Sequence, residues 1–177
     1  MTARSGPRVV LVGPMGAGKT TVGERLAQAW GTTLRDTDHD IEAAEGRTVS
    51  DIFVESGEEY FRAREHEAVL AALSEHDGVL ALGGGAVLDP RTRSALADHP
   101  VVFLKVGLAD AAKRVGLGVG RPMLLGNVRS RMKALLDERL PVYESVADAV
   151  VETDGRDADE VVAAVVAAVA SLEEEAR

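Results

Sequence analysis

Gly13-Pro14-Met15-Gly16-Ala17-Gly18-Lys19-Thr20 is the stretch that decides the fold. It follows the apolar run Val9-Val10-Leu11-Val12 and leads into a helical pattern, Val22, Leu26, Ala29, Trp30. Strand, glycine loop and helix form the context in which the spacing G-x-x-x-x-G-K-[ST] holds a polyphosphate. The glycines let backbone N–H groups converge on an anion. The helix N-terminus adds unpaired N–H groups and a partial positive charge. Gly16, Ala17, Gly18, Lys19, Thr20 and Thr21 are therefore the candidate phosphate cradle. Lys19 brings a full charge to the β- and γ-phosphates, and the Thr20 hydroxyl is a candidate Mg²⁺ ligand. The competing reading is a glycine-rich turn at a sheet edge. The complete motif in its full context favours nucleoside triphosphate binding.

At 177 residues the chain is expected to form one domain, 1–177. Hydrophobic residues make up 46 %, enough for a core, but aromatics only 3 %, so that core must be Val, Leu, Ile and Ala. A net charge of −9 argues against nucleic acid, which requires a basic footprint. A nucleotide is itself an anion, so cations must be gathered locally where phosphate sits. The absence of cysteine removes disulfides, thiolate metal sites and thiol nucleophiles. Met1 to Pro7 lacks the apolar centre of a signal peptide, and Val161 to Ala170 is about half the ~20 residues of a membrane span. A cytoplasmic location is expected, without membrane partners and with nothing that demands more than a monomer.

Outward from the glycine loop, the pattern predicts strands at 8–12, 32–35, 79–82, 101–106 and 147–152. Helices are expected at 19–30, 41–45, 51–55, 58–73, 90–96, 109–115, from 127 or 129 to about 143, and 157–172, fraying at Glu173–Glu175. Either Ser50 or Thr48 is the expected cap of the helix at 51–55. Alternating strands and helices predict an α/β fold: a central parallel five-stranded sheet flanked by helices in three layers, of the P-loop NTPase kind. Ligands in such sheets bind at the carboxyl ends of strands. The glycine loop, Asp36-Thr37-Asp38 and Gly83-Gly84-Gly85 all follow strands, so one crevice should contain them. The glycine-rich run 116–120 reads as part of a short lid, about 114–126.

Asp36 and Asp38 supply the carboxylates. Mg²⁺ takes oxygen ligands and keeps much of its water, so Asp36 is the candidate to hold its hydration shell. Asp38, deeper along the same extended chain, is the candidate to accept a hydroxyl proton. Capping of the next helix is the competing use, weighed more heavily for Asp38 than for Asp36. Arg62 has Glu58 four residues before it and Glu65 three after, which favours an exposed helix ion pair. Inward-facing Phe61 beside it keeps a pocket role open. Val128, Met132 and Leu135 advance by four and three, and the next step of four reaches Arg139. An inward guanidinium needs an anion, either a structural carboxylate or a carboxylate on a substrate. Gly83-Gly84-Gly85 allows close approach to backbone beyond what a tight turn requires. Arg121, held in the loop by Pro122, is a candidate arginine finger or a solvated loop residue. Lys113 and Arg114 end a short helix, where cations favour the dipole. The four histidines lack metal-ligand spacing and are expected at the surface.

This ordered set resembles the shikimate kinase family: Gly13–Thr20, Asp36-Thr37-Asp38, Phe61-Arg62 with Glu65, Gly83-Gly84-Gly85, Arg121-Pro122, and Arg139 followed by Pro141 and Tyr143. The similarity runs from Val9 to about Val165. It implies a nucleoside-monophosphate-kinase-like fold and transfer of the ATP γ-phosphoryl group to the 3-hydroxyl of shikimate, with Mg²⁺. By the same resemblance, Asp38, Arg62, Gly83, Gly84, Gly85 and Arg139 would hold shikimate, both arginines taking its carboxylate. The substrate-binding helical region would span about 38–66. Lys19, Thr20 and Asp36 would serve ATP and Mg²⁺, Arg121 would be the lid arginine, and Arg114 would lie against the adenine. Lys19, Asp38 and Arg121 would carry the catalysis. The chain departs from the family pattern at Gly120, where Asn commonly precedes the lid Arg-Pro. It also has no proline in 154–159, the region of the adenine loop. Rival readings are gluconate kinase, which shares the loop and lid, and a nucleotide-dependent switch, for which the guanine-reading N-K-x-D is absent.

Overall fold

The computed structural model describes residues 5–116 and 122–177. Five parallel strands form one sheet: β1 (Val9–Val12), β2 (Leu34–Asp36), β3 (Val79–Ala81), β4 (Val101–Lys105) and β5 (Ala149–Glu152). Their order is β2-β3-β1-β4-β5, with β1 central and β2 at an edge. All residues of β1 and β3 are buried, as expected of a parallel sheet covered on both faces.

Side chains of β1 divide by the period of two. Val9 and Leu11 join a core against α1 (Lys19–Trp30) and α8 (Ala158–Glu175). Val10 and Val12 join the opposite core, with α4 (Glu58–Glu75), α5 (Pro90–Leu96) and α7 (Pro122–Val146). Each such aliphatic side chain contributes about 1.5–3 kcal/mol on full burial. A third, smaller cluster of Ile41, Ile52 and Phe61 holds α2 (Thr37–Glu45) and α3 (Val49–Ser56) against α4. α6 (Leu108–Arg114) follows β4. Three layers around a five-stranded parallel sheet match the architecture expected.

Several boundaries differ for physical reasons. β2 extends to Asp36, and α2 begins at once because Asp36 caps it, its Oδ1 accepting the Asp38 N–H at 2.9 Å. The two carboxylates are thus not paired along an extended strand; Asp38 stands in a first helical turn. Thr48 rather than Ser50 caps α3. α7 begins at Pro122, since proline suits a first helical turn and the helix tolerates Gly126. α8 continues past 172 to Glu175, and Arg8 Nε donates to Glu173 Oε1 at 3.0 Å. The histidines are not all surface residues. His66 Nδ1 meets Thr92 Oγ1 at 3.0 Å, and half-buried His76 bridges the carbonyls of Thr33 and Val79. No helix among the described residues is long and apolar enough to cross a membrane.

Candidate active site

The carboxyl ends of β1, β2 and β3 open onto one cavity of about 680 Å³. Its walls include Gly16, Gly18, Lys19, Thr20, Thr21, Asp36, Asp38, Arg62, all three of Gly83–Gly85, Arg114 and Arg139. Ala17 is buried beneath the loop. Every predicted site residue that is described, Ala17 excepted, therefore lines this crevice. Arg121 and the run 117–120 lie outside the described residues.

The glycine loop is shaped by backbone sterics. Gly16 has φ 85°, and a Cβ there would meet the Ala111 carbonyl oxygen at 2.9 Å. Lys19 lies across the loop, Nζ donating to the Gly13 carbonyl at 2.6 Å and the Pro14 carbonyl at 3.1 Å. Burial lowers the Lys19 ammonium to about 8, against the opposing pull of Asp38 and Asp36. Desolvated positive charge of this kind is suited to receive phosphate. Arg114 braces the loop from the other side: Nη1 donates to the Gly16 carbonyl at 3.2 Å and to Thr153 Oγ1 at 2.9 Å. The following 154–159 loop is tied to α6, with Asp154 accepting from Gly107 N and Gly155 N donating to Asp110.

The triple glycine does more than turn the chain. None of the three residues has a positive φ. Space is what they provide. A Cβ on Gly83 would stand 2.6 Å from Asp38 Oδ1 and 3.0 Å from Glu65 Oε2; one on Gly85 would stand 2.4–2.7 Å from the Arg62 guanidinium. Asp38 and Arg62 rest on backbone where any other residue would displace them. Thr37, fully buried, accepts the Gly83 N–H at 3.3 Å and fixes β2 to this turn.

Asp38 Oδ1 is buried with no hydrogen-bond partner among the described residues. Burial first, then Asp36, raises the Asp38 pKa, while Lys19 opposes. An orphaned acceptor beside a cationic loop is a place for a donor from outside the chain, such as an alcohol.

Two arginines face the same wall. Arg62, whose side chain is 21 % exposed, gives Nη1 to Glu65 Oε1 at 2.7 Å, with Glu58 at 3.6 Å. The ion pair expected from spacing is thus present, yet its guanidinium lines the cavity. Arg139 has no carboxylate within ion-pairing distance among the described residues, so the structural-carboxylate reading falls away. The stripe that pointed to it is not a core stripe, however. Val128 is 38 % and Leu135 46 % exposed, and α7 buries Met132, Leu136 and Leu140 more deeply. Arg139 faces a crevice.

Glu65 is expected from the sequence only as an ion-pair partner of Arg62, not as a buried group of the site. It is 2 % exposed, and burial pushes its carboxyl up to about 7 against the pull of Arg62. Its spacing was the available signal: Phe61, Glu65, Val69 and Leu73 step by four along the buried face of α4. Tyr143 was quoted without a role. It is fully buried, and its hydroxyl donates to the Gly84 carbonyl.

The oxygen donors suit a hard cation. Asp36 and exposed Thr20 flank Lys19 in the cavity wall, and no cluster of three or more His, Cys, Asp or Glu residues that could cage a metal occurs among the described residues. Two protein oxygens with water and phosphate are what Mg²⁺ ordinarily requires.

Comparison with known proteins identifies the family. The family model described as shikimate kinase matches residues 15–170. A shikimate kinase of Thermobifida fusca is 61 % identical over 149 residues, covering 84 % of this chain and 87 % of its own. The solved shikimate kinase of Acinetobacter baumannii, in complex with shikimate, superposes with TM-score 0.85 at 36 % identity over 94 % of both chains. A gluconokinase of Sinorhizobium meliloti gives TM-score 0.55 at 21 % identity, over 98 % of this chain and 97 % of its own, a likeness of fold alone. A family-model match over most of the length, with 61 % identity to a curated relative, places this chain in the shikimate kinase family.

Proposed function

We propose that this chain transfers the γ-phosphoryl group of ATP to the 3-hydroxyl of shikimate, yielding shikimate 3-phosphate and ADP. The observation that carries the reading is one cavity lined by Lys19, Arg62 and Arg139 together with Asp38, whose buried Oδ1 has no hydrogen-bond partner among the described residues. A triphosphate enters over the glycine loop. An acidic alcohol lies with its carboxylate on the arginines and its hydroxyl on Asp38.

Gly16, Ala17, Gly18, Thr20 and Thr21 cradle the phosphates, and Lys19 exchanges its loop carbonyls for phosphate oxygens. Thr20 and Asp36 would hold Mg²⁺, which supplies charge neutralisation on the phosphates. Asp38 accepts the proton of the attacking hydroxyl as the new O–P bond forms and the β–γ bridge breaks. The raised pKa of Asp38 suits a group that takes a proton. Arg62 and Arg139 offer paired N–H groups to the substrate carboxylate. Arg114 steadies the nucleotide side, and Arg121 neutralises charge from the lid of residues 114–126. The helical region 38–66 frames the substrate side, and 1–177 acts as one domain. The local cations answer the problem set by a net charge of −9. The enzyme works as a cytoplasmic monomer in chorismate and aromatic amino-acid biosynthesis.

A coupled assay of ADP release from MgATP tests the reading. Shikimate should drive turnover, and gluconate should not. Turnover with gluconate alone would overturn it in favour of the rival kinase.

A further inference from the structure

The triple glycine has three carbonyls to satisfy. The Gly83 oxygen takes the Ala86 N–H and the Gly85 oxygen takes the Leu88 N–H, each at 3.1 Å. Among the described residues no backbone N–H reaches the Gly84 oxygen; the Tyr143 hydroxyl fills that place. Tyr143 is itself anchored. Its ring is 1 % exposed and stacks on Phe103 of β4, with centroids 5.0 Å apart and planes 24° from parallel. It stands four residues after Arg139 on α7, on the same helical face. The Arg139 guanidinium bears on its hydroxyl, and Arg139 Nη1 lies 3.7 Å from where a Gly84 Cβ would stand.

We propose that Tyr143 is a positioning residue for the acidic substrate: its hydroxyl pins the Gly83–Gly85 turn to α7 and so sets the separation of Arg62 from Arg139. Arg62 rests on Gly85 and Arg139 rises one turn before Tyr143, so the two arginines belong to different elements. Among the described side-chain hydrogen bonds, this one directly links the glycine turn to α7. A bidentate carboxylate contact depends on that separation, because misplaced donors lose geometry faster than they lose charge. The ring stacking fixes the height of the hydroxyl; the hydroxyl transmits it to the turn. The assignment rests on the shikimate reading above.

Tyr143→Phe keeps the stacked ring and deletes one oxygen. In the full-length enzyme the KM for shikimate should rise about tenfold, while kcat falls less than about threefold and the KM for ATP stays within about twofold. In an Arg139→Lys background the same change should cost clearly less, because both act through one contact. Shikimate-induced thermal stabilisation, read without turnover, should shrink in parallel. Equal changes in both KM values, or a lower Tm with an unaltered KM for shikimate, would show a purely structural tyrosine and overturn the assignment. A wild-type enzyme that ignores shikimate would instead remove the reading on which the assignment rests.

Discussion

Arg62 Nη1 meets Glu65 Oε1 at 2.7 Å one helical turn away, and the glutamate so engaged has a carboxyl group raised to about 7. Burial outweighs the arginine: a 2 % exposed carboxylate loses more hydration than one guanidinium restores.

The sign of the consequence follows. A carboxyl whose folded pKa lies above its unfolded value binds more protons in the folded state, so stability falls as pH rises. The contribution is full below about 4.5 and lost as pH rises through about 7. A separation of this size corresponds to on the order of 3 kcal/mol. Unfolding by urea at pH 5 and pH 7.5 should show Glu65→Gln losing less stability than wild type across that interval. Identical pH slopes would show that Glu65 is not held protonated.

The triple glycine permits an internal control. Alanine at Gly85 would put Cβ within 2.4–2.7 Å of the Arg62 guanidinium, and at Gly83 within 2.6 Å of Asp38 Oδ1. Both obstacles are ends of side chains, so the fold should survive while the site shifts. Gly85→Ala should raise the KM for shikimate at least about tenfold, and Gly83→Ala should lower kcat by a similar factor. At Gly84 the nearest atoms are 3.7 Å away, an ordinary contact, and Gly84→Ala should change either constant less than about threefold. Three equal losses in steady-state kinetics would mean that the turn needs glycine for its torsions instead.

Asp36 combines two tasks that substitution can separate. Its Oδ1 caps α2. Asparagine caps as well as aspartate, but a neutral amide is a poorer neighbour for Mg²⁺. Asp36→Asn should keep the Tm and shift the Mg²⁺ dependence of turnover to higher concentration. Asp36→Ala should show the same shift and lose about 0.5–2 kcal/mol of stability as well. An unchanged Mg²⁺ titration in both variants would leave Asp36 as a cap only.

How far the site could be read beforehand depended on the range of each signal. Lys19 and its loop were legible because their chemistry is contained in eight consecutive residues. Alternating patterns predicted the layers, and the buried runs at β1 and β3 are where they were expected. Arg139 does line the cavity, but the stripe that pointed to it is not a core stripe, since exposed Val128 and Leu135 share it. An amphipathic pattern reports a helix face, not whether that face meets core or crevice. The capping role of Asp36 was weighed too lightly because a helix was expected only from Ile41. Glu65 and Tyr143 gain meaning only from residues distant in sequence: Glu65 approaches Gly83 after β3, and Tyr143 meets Gly84 from 59 residues away.

Asp38 brings stability and function into opposition. Its Oδ1 is buried without a partner, and burial together with Asp36 makes its charge unfavourable in the folded chain. A residue kept at such a cost is expected to act on something outside the protein. Asp38→Asn removes the charge and keeps the shape. Turnover of shikimate should fall by at least about a hundredfold, as for the loss of a general base. ATP affinity should change little, because Lys19 keeps Asp36 as a neighbour. Meanwhile the Tm should rise by about 2–4 °C, the shift that about 1 kcal/mol produces in a chain of this size. Calorimetry and a single-turnover assay on the same preparation check both halves. Normal turnover would retire the catalytic role, whereas a lowered Tm would mean that Lys19 needs the Asp38 charge more than burial penalises it.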